Sequence, residues 1–242
     1  MNTTSAPTSP RAPAFGRGTT RATAPRLDRF QWILGALLAA LVAAVCLQQS
    51  PGWWRGKLSA AEVDAFVARA AAQVPLPPEQ KDEILARLRA FGLADDGKPL
   101  YMLNVMRYFP QPKALPGVPA FKGSSAEANA KYEEGVMPLL LKVGGTATYA
   151  GDMHGRNIFG HAPAVDDWSR VLVIRYPSRR AFLELVADPA YAEHAPLKLM
   201  AIDLVLAPTE VDMVMPDLRL AVAALALLVF VAVGWWRAAR RA

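Results

Sequence analysis

Cysteine is nearly absent from this chain of 242 residues, since Cys46 is the only one. A single cysteine excludes an intrachain disulfide. Histidine is also scarce, and His154, His161 and His194 show neither the i,i+4 nor the alternate spacing that metal sites favour. We therefore expect no disulfide and no metal ion.

The sequence also lacks the short motifs of several large enzyme classes. It contains no G-x-G-x-x-G, no phosphate-binding P-loop, no G-x-S-x-G, no C-x-x-C and no H-E-x-x-H. These absences remove the usual signatures of dinucleotide, nucleotide, hydrolase, redox and zinc-protease chemistry. We expect no cofactor, and any function has to be argued from individual residues.

Acidic residues are fewer than basic ones, and a net charge of +6 invites a nucleic-acid interpretation. The excess is confined to the two ends of the chain. Residues 1–29 carry five arginines against Asp28, and residues 217–242 carry four arginines against Asp217, whereas residues 30–216 are close to neutral. The basic charge therefore belongs to the tails, and we expect no nucleic-acid partner.

Two uncharged runs hold the excess of apolar residues. Phe30–Leu47 has 18 residues without a charge and Leu220–Trp236 has 17, close to the ~20 that cross a bilayer. Tryptophans flank both runs, as they do at membrane interfaces. Because neither run has a polar face, the sequence predicts transmembrane helices over 30–50 and 217–236, in contact with the lipid bilayer.

The basic ends set the expected orientation. The positive-inside rule places a disordered tail over 1–29 and a short basic tail over 237–242 in the cytoplasm. The central region then lies beyond the inner (cytoplasmic) membrane, in the periplasm if the cell is Gram-negative. An alternative stays open, in which the first run is a signal segment that is cleaved, or lipidated at Cys46.

Between the apolar runs, residues 56–95 have the pattern of a helical pair. Ser59 and Glu62 form a capping box for a helix over about 60–73, and a second helix begins near Pro78. The second helix has an apolar face and is expected to end at Gly92 as its C-terminal cap. We expect this pair to act as a spacer, to cover the domain that follows, or to contact a partner protein.

The pattern changes over 98–212. Four segments have the composition of strands, at 100–108, 146–155, 169–176 and 202–211. One helix begins at a capping box of Ser124 and Glu127, and another begins at Ser178. The order β-α-β-β-α-β predicts an α+β domain of the ferredoxin-like plan, with an antiparallel sheet and both helices on one face.

Residues 100–208 resemble domain-of-unknown-function family 1330 (DUF1330), of the dimeric α+β barrel superfamily. The segments that carry the resemblance are "YMLNVMRY", "KYEEGVMPLLLKVGG", "YAGDMHG" and "DDWSRVLVIRYPSRRAFLELVADPAY". The resemblance implies a fold and a homodimer in which a second copy covers the open face of the sheet. It implies no reaction, because the function of that family is itself unassigned.

Six residues are candidates for a site. Asn104 lies in an apolar row of the first strand, where its amide binds either a ligand or a neighbouring turn. His154 ends the second strand and has the pKa range of a general base. Arg175 shares a face with two valines and needs either an acidic partner, Asp152 or Glu133, or an anionic ligand. The aromatic residues Tyr132 and Tyr149 either line a cavity or belong to the core.

Together these features favour a membrane-anchored extracytoplasmic domain that binds a small organic ligand or acts as a dimerisation and interaction module. The ligand residues would be Asn104, Tyr132, Tyr149, Asp152 and Arg175. The alternative is an enzyme of the cofactor-independent monooxygenase or isomerase type, with His154 as the catalytic base. In that case Asn104 and Arg175 would orient an oxyanion. This alternative rests on analogy of fold.

Overall fold

The computed structural model describes residues 28–156, 158–160, 167–210 and 218–240. The expected disordered tail before Asp28, the last two residues and His161 lie outside these ranges.

Two long apolar helices stand at the ends of the described chain. Helix α1, Arg29–Gln49, begins at a capping box of Asp28 and Gln31, and α7 covers Leu218–Ala239. Both are long and apolar enough to cross a membrane, and their apolar windows are 0 % and 6 % buried. The two helices pack side by side, with an ion pair between Asp28 and Arg237 at one end.

The helical pair between α1 and the sheet consists of α2, Ala60–Ala71, and α3, Pro78–Leu93. The capping box of Ser59 and Glu62 is present. Gly92 does not cap α3, because it lies inside the helix and Ala94 is the C-cap. A Cβ at Gly92 would lie 2.8 Å from Val63 Cγ1, so this glycine permits the close approach of α3 to α2.

A four-stranded antiparallel sheet forms the centre of the domain. Its strands are β1 (Leu100–Tyr108), β2 (Thr146–Asp152), β3 (Arg170–Tyr176) and β4 (Ile202–Thr209). The spatial order is β2-β3-β1-β4. Three helices connect these strands along the chain: α4 (Ser125–Lys142), α5 (Arg179–Val186) and α6 (Ala195–Ala201). The domain is therefore α+β.

Alternation of side chains gives the sheet two different faces. The covered face carries Leu100, Met102, Asn104 and Met106 of β1, all at most 5 % exposed. The residues between them point the other way, to a surface that we call the open face. At the inner positions of β1 and β3 this face is apolar, and its four members there are only partly buried: Leu103, Val105, Val171 and Val173.

The core on the covered face is divided in two. One cluster joins the start of β1 to α4 and α5, and includes Met102, Leu140 and Leu183. The other joins the far end of β1 to the start of β4, and includes Met106 and Ile202. Asn104 lies on β1 between Met102 and Met106, so a polar residue separates the two apolar clusters.

The turn between β3 and α5 is built mainly by caps and packing. Ser178 caps α5 by accepting from the Ala181 amide, as expected. Arg180 is buried and donates to Glu62 of α2 at 2.6 Å, while the Arg179 guanidinium stacks on the Phe91 ring of α3. These contacts offset the unfavourable position of two cations at a helix N-terminus and attach α5 to the helical pair.

Candidate functional site

The polar group that interrupts the core is the amide of Asn104, which is 2 % exposed. Its Nδ2 donates to the carbonyl oxygens of Met102 and Leu172, at 3.1 and 3.2 Å. Its Oδ1 accepts from Lys198 Nζ of α6 at 2.9 Å. The amide is thus held by the sheet on one side and presents its oxygen to a charged side chain on the other.

Lys198 extends from α6 over the covered face of the sheet. Its Nζ lies 5.0 Å from the centre of the Tyr132 ring, in a cation–π contact. Burial lowers the pKa of this amine to about 8, and the negative charge of Glu133 opposes the shift. The residue as a whole is only partly buried. An amine of this kind is neutral often enough near neutral pH to act as a base or nucleophile.

An ion-pair network lies next to this amine, in one turn of α4 and the facing strands. Arg170 Nη2 lies 2.9 Å from Glu133 Oε2, and Arg170 Nη1 lies 2.8 Å from Asp152 Oδ1. Hydrogen bonds to Glu133 and Asp152 raise the pKa of the Arg170 guanidinium above its usual value. The network fixes the position of the Glu133 carboxylate near Lys198.

Two further polar contacts complete the site. The hydroxyl oxygens of Tyr132 and Tyr191 lie 3.3 Å apart, and burial raises the pKa of both phenols. Asn129 donates to Glu133 at 2.8 Å, but its buried Oδ1 has no hydrogen-bond partner among the described residues. We call the group of Asn104, Asn129, Tyr132, Glu133, Arg170 and Lys198 the interior polar site.

Three of the six predicted site residues meet at or beside this site. Asn104 and Tyr132 contact Lys198 directly, and Asp152 joins through Arg170. The acids proposed as partners of Arg175 bind Arg170 instead. The reason is register, because Arg170 is opposite Asp152 on the covered face, whereas Arg175 is five residues away along β3 and points to the open side.

Arg175 lies at the end of the sheet next to α1. It donates to the Oε1 atom of Gln49, whose Nε2 donates to the Gly144 carbonyl at 3.0 Å. The last turn of α1 is therefore attached to the sheet. Beside Arg175 is a cavity of about 460 Å³, which Lys98, Arg179 and Arg219 also line. An anionic ligand for Arg175 stays a prediction.

The other two predicted residues do not belong to the interior polar site. Tyr149 is on the open face and is 58 % exposed. His154 is exposed beyond the end of β2, at the opposite end of the sheet from Arg175. The five residue steps along β3 from Arg170 to Arg175 correspond to about 17 Å, which is the separation of these two ends of the sheet. His154, Asn104 and Arg175 therefore do not meet at one point in the structure.

Sequence reasoning missed Lys198 and did not anticipate the role of Arg170. A signal was present for the first, because Lys198 is the only charged residue in the segment "APLKLMA". An isolated charge within an apolar helix has to find a polar partner. No sequence rule would have paired it with Asn104, which is 94 residues away.

The chemistry available here is that of an amine, a guanidinium, a carboxylate, two carboxamides and, with the neighbouring Tyr191, two phenols. These groups can bind a polar organic molecule, and the amine can exchange a proton or attack an electrophile. Among the described residues no group of three or more His, Cys, Asp or Glu side chains could hold a metal ion.

Comparisons with known proteins add little to this description. No protein-family model matches the chain, and no curated protein matches it. Two crystal structures of RPA0582, one of the methylated protein and one described as a protein of unknown function from Rhodopseudomonas palustris, are 27 % identical to the chain. They cover 56 % and 55 % of it and 93 % and 94 % of their own chains, with TM-scores of 0.45 and 0.44. At TM-scores this low, the similarity supports no conclusion about the fold or function of this chain.

Proposed function

We propose that this chain is a two-pass membrane protein whose α+β domain binds a small organic ligand at the interior polar site and dimerises through the open face of its sheet. The observation that carries the ligand proposal is the Lys198 amine, which contacts Asn104 and Tyr132 at a position where the core would otherwise be continuously apolar. Burial of a polar group in that position costs free energy unless the group has a full set of hydrogen-bond partners. Its presence therefore points to a function.

The membrane part of the proposal is supported by the surfaces of α1 and α7. Core helices of a soluble protein are buried, whereas almost none of the apolar side chains in these two helices is buried. Gln49 at the end of α1 is fully buried against the sheet, which favours retention of α1 over its removal as a signal segment. The basic tails favour an inner-membrane location with both termini cytoplasmic and the domain periplasmic.

The strand order β2-β3-β1-β4 supports the ferredoxin-like plan and is compatible with membership of DUF1330. It also supports a dimeric α+β barrel, in which two open faces pack on one another. Tyr149 and Val205 on this face are 58 % and 44 % exposed, and Leu103 and Val173 lie between them. A second copy would remove this apolar surface from water.

Native mass spectrometry of the full chain, released from lipid nanodiscs, tests the ligand proposal. We expect a bound small molecule that is lost on buffer exchange from Asn104→Leu, with occupancy at least about tenfold lower than in the wild type, because the amide then no longer orients Lys198. His154→Ala is the matched control, since this side chain is exposed beyond the end of β2, and should keep the ligand.

Two results would count against this assignment. One is loss of the ligand in His154→Ala with retention in Asn104→Leu, which would indicate that the ligand binds at the end of the sheet near His154. The other is a wild-type protein that carries no small molecule from its own membrane and binds none from a metabolite extract.

A further inference from the structure

We propose that the Lys198 amine is an attachment point for a small carbonyl compound, with which it forms an imine. This inference rests on the proposed ligand-binding function and names the class of ligand. The cluster of groups around Nζ carries it: an amide oxygen that holds the amine, an aromatic ring beside it, and a carboxylate fixed in the adjacent turn.

The amine is arranged as a nucleophile rather than as one half of an ion pair. Its hydrogen bond goes to the neutral Oδ1 of Asn104, at 2.9 Å. The nearby carboxylate of Glu133 is held by Arg170 at 2.9 Å and by Asn129 at 2.8 Å. A lysine that is not tied to an acid loses its proton at lower cost, and burial lowers the pKa of Lys198 to about 8.

The condensation needs no group from outside the chain and the ligand. The nitrogen lone pair of neutral Lys198 forms a bond to the carbonyl carbon, and the carbonyl oxygen takes up the two amine protons and leaves as water. The product is a carbon–nitrogen double bond, with no change of oxidation state. Glu133, whose charge acts on the amine, and Tyr132, whose ring contacts it, are the titratable groups that can pass these protons.

The site limits the class of ligand. The surroundings of Nζ are aromatic and amide in character, and the cations and acids nearby are already paired with one another. An aldehyde or ketone with a small apolar body fits this environment better than a polyanion does. Lys198 as a residue is only partly buried, so a small molecule has less protein to displace there than at a core residue.

Reductive trapping tests the inference on the full chain in nanodiscs. The probes are butanal, an uncharged aldehyde, and pyruvate, an anionic keto acid, each at limiting concentration with sodium cyanoborohydride at pH 7.5. Peptide mapping should find Lys198 modified by butanal at least about tenfold faster than Lys131, an exposed lysine of α4, because burial lowers the pKa of the Lys198 amine. Modification by pyruvate should be slower than by butanal.

Two variants make the result specific. Lys198→Arg should remove the fast adduct and leave the slow labelling of other lysines, whereas Lys131→Arg should leave the fast adduct in place. Equal labelling of Lys198 and Lys131 in the wild-type protein would overturn the inference. A ligand that appears in native spectra, with no adduct at Lys198 after reduction, would overturn the imine and leave the proposed binding function standing.

Discussion

Replacing Val173 by aspartate is expected to convert a dimer of the full chain into a monomer. Val173 lies at the centre of the open face, opposite Leu103 of β1 and Tyr149 of β2. In the proposed dimer an aspartate here would be buried against the open face of the second copy. Burial of an unpaired charge costs several kcal/mol, so we expect the dissociation constant to rise at least about a hundredfold. Mass photometry in nanodiscs or sedimentation in detergent measures it.

The matched control for this variant is Ile84→Asp. Ile84 is an apolar residue of α3 that is 41 % exposed, and α3 is not part of the sheet. The same change of chemistry at this position should leave the dimer intact. A wild-type chain that is monomeric at all accessible concentrations, or an equal effect of the two aspartates, would contradict pairing through the open face.

Truncation of Leu183 to alanine is expected to destabilise the domain by about 2 to 5 kcal/mol. Leu183 of α5 is fully buried in the larger core cluster. Its Cδ1 lies 3.0 Å from the position of a Cβ on Gly92, which shows how closely α5 packs against the helical pair. The cavity left by truncation therefore lies where α2, α3 and α5 meet. Differential scanning fluorimetry should show Tm lower by roughly 10 °C.

Leu141→Ala provides the comparison, because Leu141 of α4 is 54 % exposed and its truncation removes little buried apolar surface. Its effect on stability should stay within about 0.5 kcal/mol. If both variants melt at the wild-type temperature, the helical pair is not part of the same cooperative unit as the sheet.

The order and type of the elements could be predicted because the local signals agree. The capping boxes of Ser59 and Ser124 mark the starts of α2 and α4, and both are present. Alternation in "LYMLNVMRY" correctly predicted the face of Asn104. Gly92 was misassigned as a cap, because a glycine that ends a helix and one that allows two helices to touch look alike in sequence.

The site could be predicted only in part, because it depends on contacts between distant segments. Asn104 and Tyr132 were found from their own surroundings, but their common partner Lys198 is on a different element. Asp152 and Glu133, which were suggested as acidic partners of Arg175, form ion pairs with Arg170, because Arg170 is the residue of β3 opposite Asp152. Register is set by pairing between strands, which a single sequence does not reveal.

Titration of Lys198 tests the central claim most directly, since the proposed site depends on an amine withdrawn from water. The ¹³Cε resonance of Lys198, assigned by its loss in Lys198→Arg, can be followed with pH in the full chain. We expect a midpoint near 8, below the ordinary value of 10.5, because burial beside Asn104 and Tyr132 disfavours the ammonium form. A midpoint near 10.5 would show that the amine is solvated, and would contradict a ligand site at this position.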